Sequence, residues 1–257
     1  MAVFNRGNKA EIWEPTALAN GPFKGLQGGA VAGLLVGEIE GLALEKDWGH
    51  AVSASTWFLR PVPSRLLKTN VEIIHQSNRI SVVDNSLRTE DDDTLCAITR
   101  VTLNKPRAID VPGFQTDIVA EIDPRQYPLH ARPAPHGGAW FMDAMELRLG
   151  GSIFWFRLNT DVIENAGSLA RILGPADWAH GLSRQVQNAV ADPNPNLNVH
   201  LFRSPRGEWI GVEPQTHWQP EIGGGMGGGY LHDCVGVVGR VSMSVVLTPF
   251  PNAAAKS

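Results

Sequence analysis

The stretch PADWAHGLSR, residues 175–184, sets an aspartate and a histidine among small and apolar residues of helical composition. On a helix, Leu173, Asp177, His180 and Arg184 fall on one face, so an acid, an imidazole and a guanidinium line up. A carboxylate placed there can take a proton from water, and an imidazole can pass one on. With Pro175 in the first turn, where proline is tolerated, Asp177 stands near the positive end of the helix dipole, which favours its ionised form. The plainer alternative is an acid that caps that turn and pairs with Arg184 on a solvated face.

Other constellations offer less. The run GGGMGGG at 223–229 bares backbone N–H groups as phosphate loops do, but no Lys-Ser/Thr follows it and no helical pattern opens after it. A glycine-rich strand passing closely over a helix fits better, and HGG at 136–138 lies in a connector. The histidines are dispersed, Cys96 and Cys234 lie far apart without CxxC spacing, and no GxSxG elbow exists, so no metal, no disulfide framework and no serine nucleophile are expected.

Positioning such a site takes a framework, and the chain supplies one twice. GLQGGAVAGLLVGEIEGLALE (25–45) has Val31, Leu34, Leu35, Ile39 and Leu42 at helical spacing after a glycine-rich start. A short strand at 10–15 precedes it. Strand-like runs follow at 50–62, 66–76, 80–89 and 94–104, each bounded by Pro, Asn, Arg or Asp. Residues 106–137 are rich in proline and lack periodicity, which reads as an extended connector. Beyond it come a strand pair at 138–151 and 152–160, helical composition at 168–190 broken by Pro175, and strands at 196–204, 208–218, 227–234 and 237–249. STWFLRPVP (55–63) and NVHLFRSPRGEW (198–209) share an aromatic-Arg-Pro pattern at similar distances from their helices, which makes Arg60 and Arg203 equivalent. Duplication of a helix-on-antiparallel-sheet unit gives an α+β fold with boundaries at 1–115, 116–137 and 138–257.

Across nearly the whole chain outside the connector, GGAVAGLLVGEIE, STWFLRPVP, PADWAHGLSR, PNLNVHLFRSPRGEWIGV and GRVSMSVVLTP resemble the double-hotdog acyl-CoA thioesterases. In that family two hotdog folds, each a long helix wrapped by a curved antiparallel sheet, are fused in tandem. The resemblance implies hydrolysis of an acyl thioester, without a covalent intermediate, by water that an aspartate on the second helix activates. A hydroxyl residue and a glutamine assist in the family. The aspartate position matches Asp177; the hydroxyl position falls on Asn198, and the glutamine position on or beside Met243, with Ser242 and Ser244 as neighbours. The amide of Asn198 can hold a water, whereas the thioether of Met243 cannot. His180 is a further catalytic candidate, Trp178 a substrate contact, and Gln27 with Gly28 and Gly29 a lining of the first-half pocket, where backbone N–H groups polarise the thioester carbonyl. Glu38 and Glu40 are weaker counterparts on the first helix. Degeneration of the catalytic set leaves two other readings open: an acyl-CoA or acyl-carrier binding protein, and a hotdog hydratase or isomerase.

A net charge of −4 with scattered Lys and Arg supplies no field for nucleic acid, and no stretch approaches the ~20 apolar residues of a membrane span or the core of a signal peptide. A cytoplasmic enzyme of lipid metabolism is expected, with CoA as part of the substrate and no separate cofactor, and its sheet edges offer a route to a homo-oligomer. Chain length of the acyl group and its carrier are not encoded in any linear motif.

Overall fold

A computed structural model describes residues 2–113, 120–132, 137–182 and 190–249. In chain order the first half holds strands β1 (Phe4–Arg6) and β2 (Ile12–Pro15), helix α1 (Gly28–Glu45), and strands β3 (His50–Phe58), β4 (Leu67–Gln76), β5 (Ile80–Thr89) and β6 (Leu95–Asn104). The second holds β7 (Met145–Gly150), β8 (Ile153–Leu158), helices α2 (Ser168–Asp177) and α3 (Ala179–Leu182), then β9 (Val190–Ala191), β10 (Asn196–Leu201), β11 (Trp209–Pro214), β12 (His217–Gln219), β13 (Gly224–Asp233), β14 (Gly236–Val246) and β15 (Thr248–Pro249). No helix among these residues is long and apolar enough to cross a membrane.

One antiparallel sheet runs through both halves in the order β1-β2-β4-β5-β6-β3-β10-β14-β13-β11-β8-β7. The halves meet where β3 pairs with β10, and Ser55 there lies opposite Asn198. These two residues are 143 positions apart, and so are Arg60 and Arg203. The register across β3 and β10 thus sets opposite one another two residues with the same sequence spacing as that arginine pair. The N-terminus crosses over as well: Val3 N–H donates to Asp161 O and Phe4 N–H to Val162 O, attaching β1, which no sequence pattern announces, beside the second half.

Strand alternation decides which residues face the helices. In β5, Ser81, Val83, Asn85, Leu87 and Thr89 are buried while their neighbours are not. In β14 the buried set is Val241, Met243 and Val245, leaving Ser242 and Ser244 outside. Residues 138–144 do not begin a strand: Asp143 accepts the Trp140 N–H and closes a short 3-10 turn, so β7 starts at Met145. The glycine run forms β13, and Gly227 brings its backbone against His180; a Cβ there would lie 2.5 Å from the His180 Cβ.

Helices α1 and α2 pack antiparallel along a glycine seam. Gly29, Gly33 and Gly37, spaced one turn apart, face α2 and the chain leading into it, and a Cβ at Gly29 would lie 2.5 Å from Leu173 O. Each helix lends an acid to the start of the other. Glu40 of α1 accepts the N–H groups of Leu169 (2.9 Å) and Ala170 (3.0 Å), and Asp177 of α2 accepts the Gly29 N–H (2.9 Å). Burial lifts the Glu40 carboxyl above its usual range, offset in part by those two N–H groups and by Arg171. A carboxyl raised in the folded state gives its full stabilisation below the unfolded value and loses it as pH rises through the folded value. Glu40→Gln therefore gains stability relative to wild type as pH climbs from 4.5 upward, which urea midpoints of both proteins across that range will measure.

Candidate active site

Pro175 does not open its helix. It is the eighth residue of α2, and Asp177 ends that helix at its negative pole. The positive pole that Asp177 meets belongs to α1. Asp177 is 3% exposed and, among the described residues, accepts three N–H donors: Gln27 Nε2 (2.5 Å) and Gly29 N (2.9 Å) on Oδ2, and Asn194 Nδ2 (2.7 Å) on Oδ1. Burial raises its carboxyl above the ordinary aspartate range, while His180, Asn194 and the Gly29 N–H pull the other way.

Gln27 is held from both sides. As N-cap of α1 it accepts the Ala30 N–H on Oε1 (2.7 Å), which turns its amide so that Nε2 faces Asp177. Gly28 follows, and a Cβ at that position would lie 3.1 Å from Asp177 Oδ2 and 3.0 Å from Phe58 Cζ, so only glycine leaves the carboxylate and ring in place. The Gly28 N–H has no acceptor among the described residues. Asn194, between Pro193 and Pro195, also donates to Asn196 O.

A cavity of about 640 Å³ opens over this group, and its wall contains Gln27, Gly28, Asp177, Trp178, His180 and Asn194. Trp140 and Trp178 meet edge to face on that wall, 5.6 Å between centroids. His180 is 9% exposed, and its Nδ1 has no hydrogen-bond partner among the described residues. Lys24 and Arg60 stand exposed where the cavity meets solvent, together with half-buried Arg132. Arg203, the sequence counterpart of Arg60, is instead locked in a two-pronged pair with the buried Asp233.

The site thus unites Asp177, His180, Trp178, Gln27, Gly28 and Gly29, and it leaves out three residues that the sequence pattern grouped with them. Asn198 lies between the buried Leu197 and Val199, so its side chain faces the outer surface of the sheet, donating to Ser242 O at 3.4 Å. Ser242 is exposed on that same surface. Met243 faces inward but packs near Gly227 and does not line the cavity. Asn194, not Asn198, donates to Asp177. Its signal was a polar residue between two prolines, rigid enough to aim an amide. Arg184 lies outside the described residues. Glu38 accepts from Trp13, Thr69 and Asn85 under the first-half sheet, away from the cavity. No group of three or more His, Cys, Asp or Glu with metal-binding geometry occurs among the described residues.

No family model and no curated protein matches the chain. Solved structures do. A thioesterase II candidate from Thermobifida fusca YX superimposes with a TM-score of 0.70 at 15% identity, covering 95% of this chain and 96% of that one. A thioesterase candidate from Novosphingobium aromaticivorans DSM 12444 gives 0.70 at 16%, covering 96% and 98%. A protein of unknown function with a hot dog fold from Alicyclobacillus acidocaldarius gives 0.69 at 10%, covering 96% of each. At these identities the likeness establishes the hotdog fold.

Proposed function

We propose that this chain is a double hotdog, its units at 1–115 and 138–257 around the connector 116–137, and that it hydrolyses an acyl thioester with Asp177 as the base. The observation that carries the reading is the donor count on Asp177. A carboxylate offers about four lone-pair sites. Among the described residues, Oδ2 has two occupied by Gln27 and Gly29 and Oδ1 has one occupied by Asn194, and Asp177 lies on the cavity wall. Glu40, the mirror-image capping acid, borders no such space.

In the proposed reaction, water bound to Oδ1 attacks the thioester carbon and gives its proton to Asp177. The carbonyl oxygen gathers negative charge at the unpaired Gly28 N–H, on the positive end of the 18-residue helix α1. Collapse breaks the carbon–sulfur bond, and the departing thiolate takes the proton from Asp177, leaving carboxylic acid and thiol. Gln27 and Asn194, by donating to its two oxygens, fix the plane of the carboxylate. Release of free thiol from acyl-CoA by the wild-type protein tests the reading, and absence of turnover across short, long and cyclic acyl groups would overturn it.

Capping of α1 by Asp177 favours a second reading, an acyl-thioester binding protein in which the acid is purely structural. In that case thioesters bind and survive. Under either reading the exposed Lys24 and Arg60 meet the phosphates of the carrier. Lys24→Ala and Arg60→Ala each raise KM for an acyl-CoA by about fivefold, with kcat unchanged. Added salt erodes the difference, and N-acetylcysteamine thioesters, which lack phosphate, do not register it.

A further inference from the structure

The shape of the cavity bears on what the acyl group is, and the inference rests on the thioester reading above. Only the first turn of α1 contributes to the wall, through Gln27, Gly28 and Val31. One turn further, Leu34 and Leu35 are fully buried in the core and do not line the cavity, so α1 opens the space only at its start. Beside the reacting carboxylate the surfaces are flat rings: Phe58 against Gly28, and Trp178 braced edge to face by Trp140. Pro61, Pro193 and Pro195 complete that side, with fixed backbone and no rotatable stem. Val246 N–H donates to Pro193 O and Phe58 N–H to Pro195 O, tying this proline wall to the sheet on both sides.

Rigid, flat walls reward a rigid, flat ligand, because little rotamer freedom is lost on either side and ring edges meet ring faces. A linear acyl chain makes no ring contact and loses more rotamer freedom on binding. We infer that the preferred acyl group is compact and cyclic, of the aryl or arylacetyl class, rather than a long linear chain.

Non-hydrolysable CoA thioethers test this independently of catalysis. S-benzyl-CoA is expected to bind about tenfold more tightly than S-octyl-CoA, read by calorimetry with the full-length protein. Trp178→Leu and Phe58→Leu, each confirmed folded by circular dichroism, are expected to remove that preference. Equal affinities, tighter octyl binding, or no binding of either thioether would overturn the inference. With the corresponding thioesters, phenylacetyl-CoA turns over faster than octanoyl-CoA. If the ring preference holds in binding but no thioester is cleaved, the hydrolase reading falls and the ligand class stands. If octanoyl-CoA is cleaved better in an Asp177-dependent manner, the hydrolase reading stands and the ligand class falls.

Discussion

Asp177→Asn lowers kcat/KM for the best acyl-CoA by about 10²–10⁴-fold, the range expected when a positioned general base is lost. The fall is in kcat, because Gly28, Lys24 and Arg60 still meet the substrate. An amide at 177 has one acceptor oxygen where three N–H donors converge, so one donor must turn. Asn194 can do so by rotating its own amide, at the expense of its 3.2 Å bond to Asn196 O. The stability change is therefore small, about 1 kcal/mol. The wild-type pH profile carries the same signature. A base must be ionised to act, and burial raises the Asp177 carboxyl, so activity rises with pH along an acid limb displaced above the 3.8 of an ordinary aspartate. A variant retaining more than a tenth of wild-type activity would make Asp177 a capping acid like Glu40. A variant that loses activity while keeping its melting temperature separates chemistry from scaffold.

How far the sequence reached depended on whether a property was local. The helix at 25–45, the four following strands and most second-half strands are patterns of adjacent residues, and the structure has them within a few positions; the exceptions are β7, which starts at Met145 rather than 138, and the run 208–218, which divides into β11 and β12. Asp177 stands out because a charge in a small, apolar stretch needs a reason, and Gln27 through the family resemblance, at the residue before two glycines at the helix start. The failures were failures of facing and of tertiary partnership. Whether Asn198 or its neighbour points inward depends on strand phase, which the sheet fixes by pairing Asn198 with Ser55 and Ser242. The field at Asp177 was sought in its own helix, whereas it comes from α1, 148 residues away in sequence. Pro175 encouraged that error, since proline is commonest in a first turn and here sits in the last. Asn194 drew no expectation at all: the two flanking prolines signal a rigid amide, but its partner Asp177 is a tertiary neighbour that no local pattern names.

Gly29→Ala unfolds the protein at a markedly lower denaturant midpoint and inactivates what remains folded. The new methyl would lie 2.5 Å from Leu173 O, 2.8 Å from Asp177 Cβ and 2.9 Å from Gly174 Cα. Two of these are backbone atoms of α2, so no side-chain rotation relieves the clash and the helices must separate. Overpacking of this kind costs about 1–3 kcal/mol or more, which outweighs the ~1 kcal/mol that alanine gains over glycine within a helix. Movement of α2 also carries Asp177 away from Gly28 and Gln27, and a displacement near 1 Å can cost about 10²-fold in rate. Gly33→Ala is milder: its methyl would meet Ala170 O at 3.1 Å and the Val162 side chain, which can yield. At Gly41 nothing lies within 4 Å, and there alanine is expected to stabilise. The order Gly41→Ala above wild type, Gly33→Ala below it and Gly29→Ala lowest, measured by urea unfolding, follows from the seam alone. Loss of activity concentrated in Gly29→Ala follows only if the end of α2 must stay against the start of α1 for Asp177 to act. Equal activity losses at positions 29 and 33, scaled to stability, would detach the seam from the chemistry.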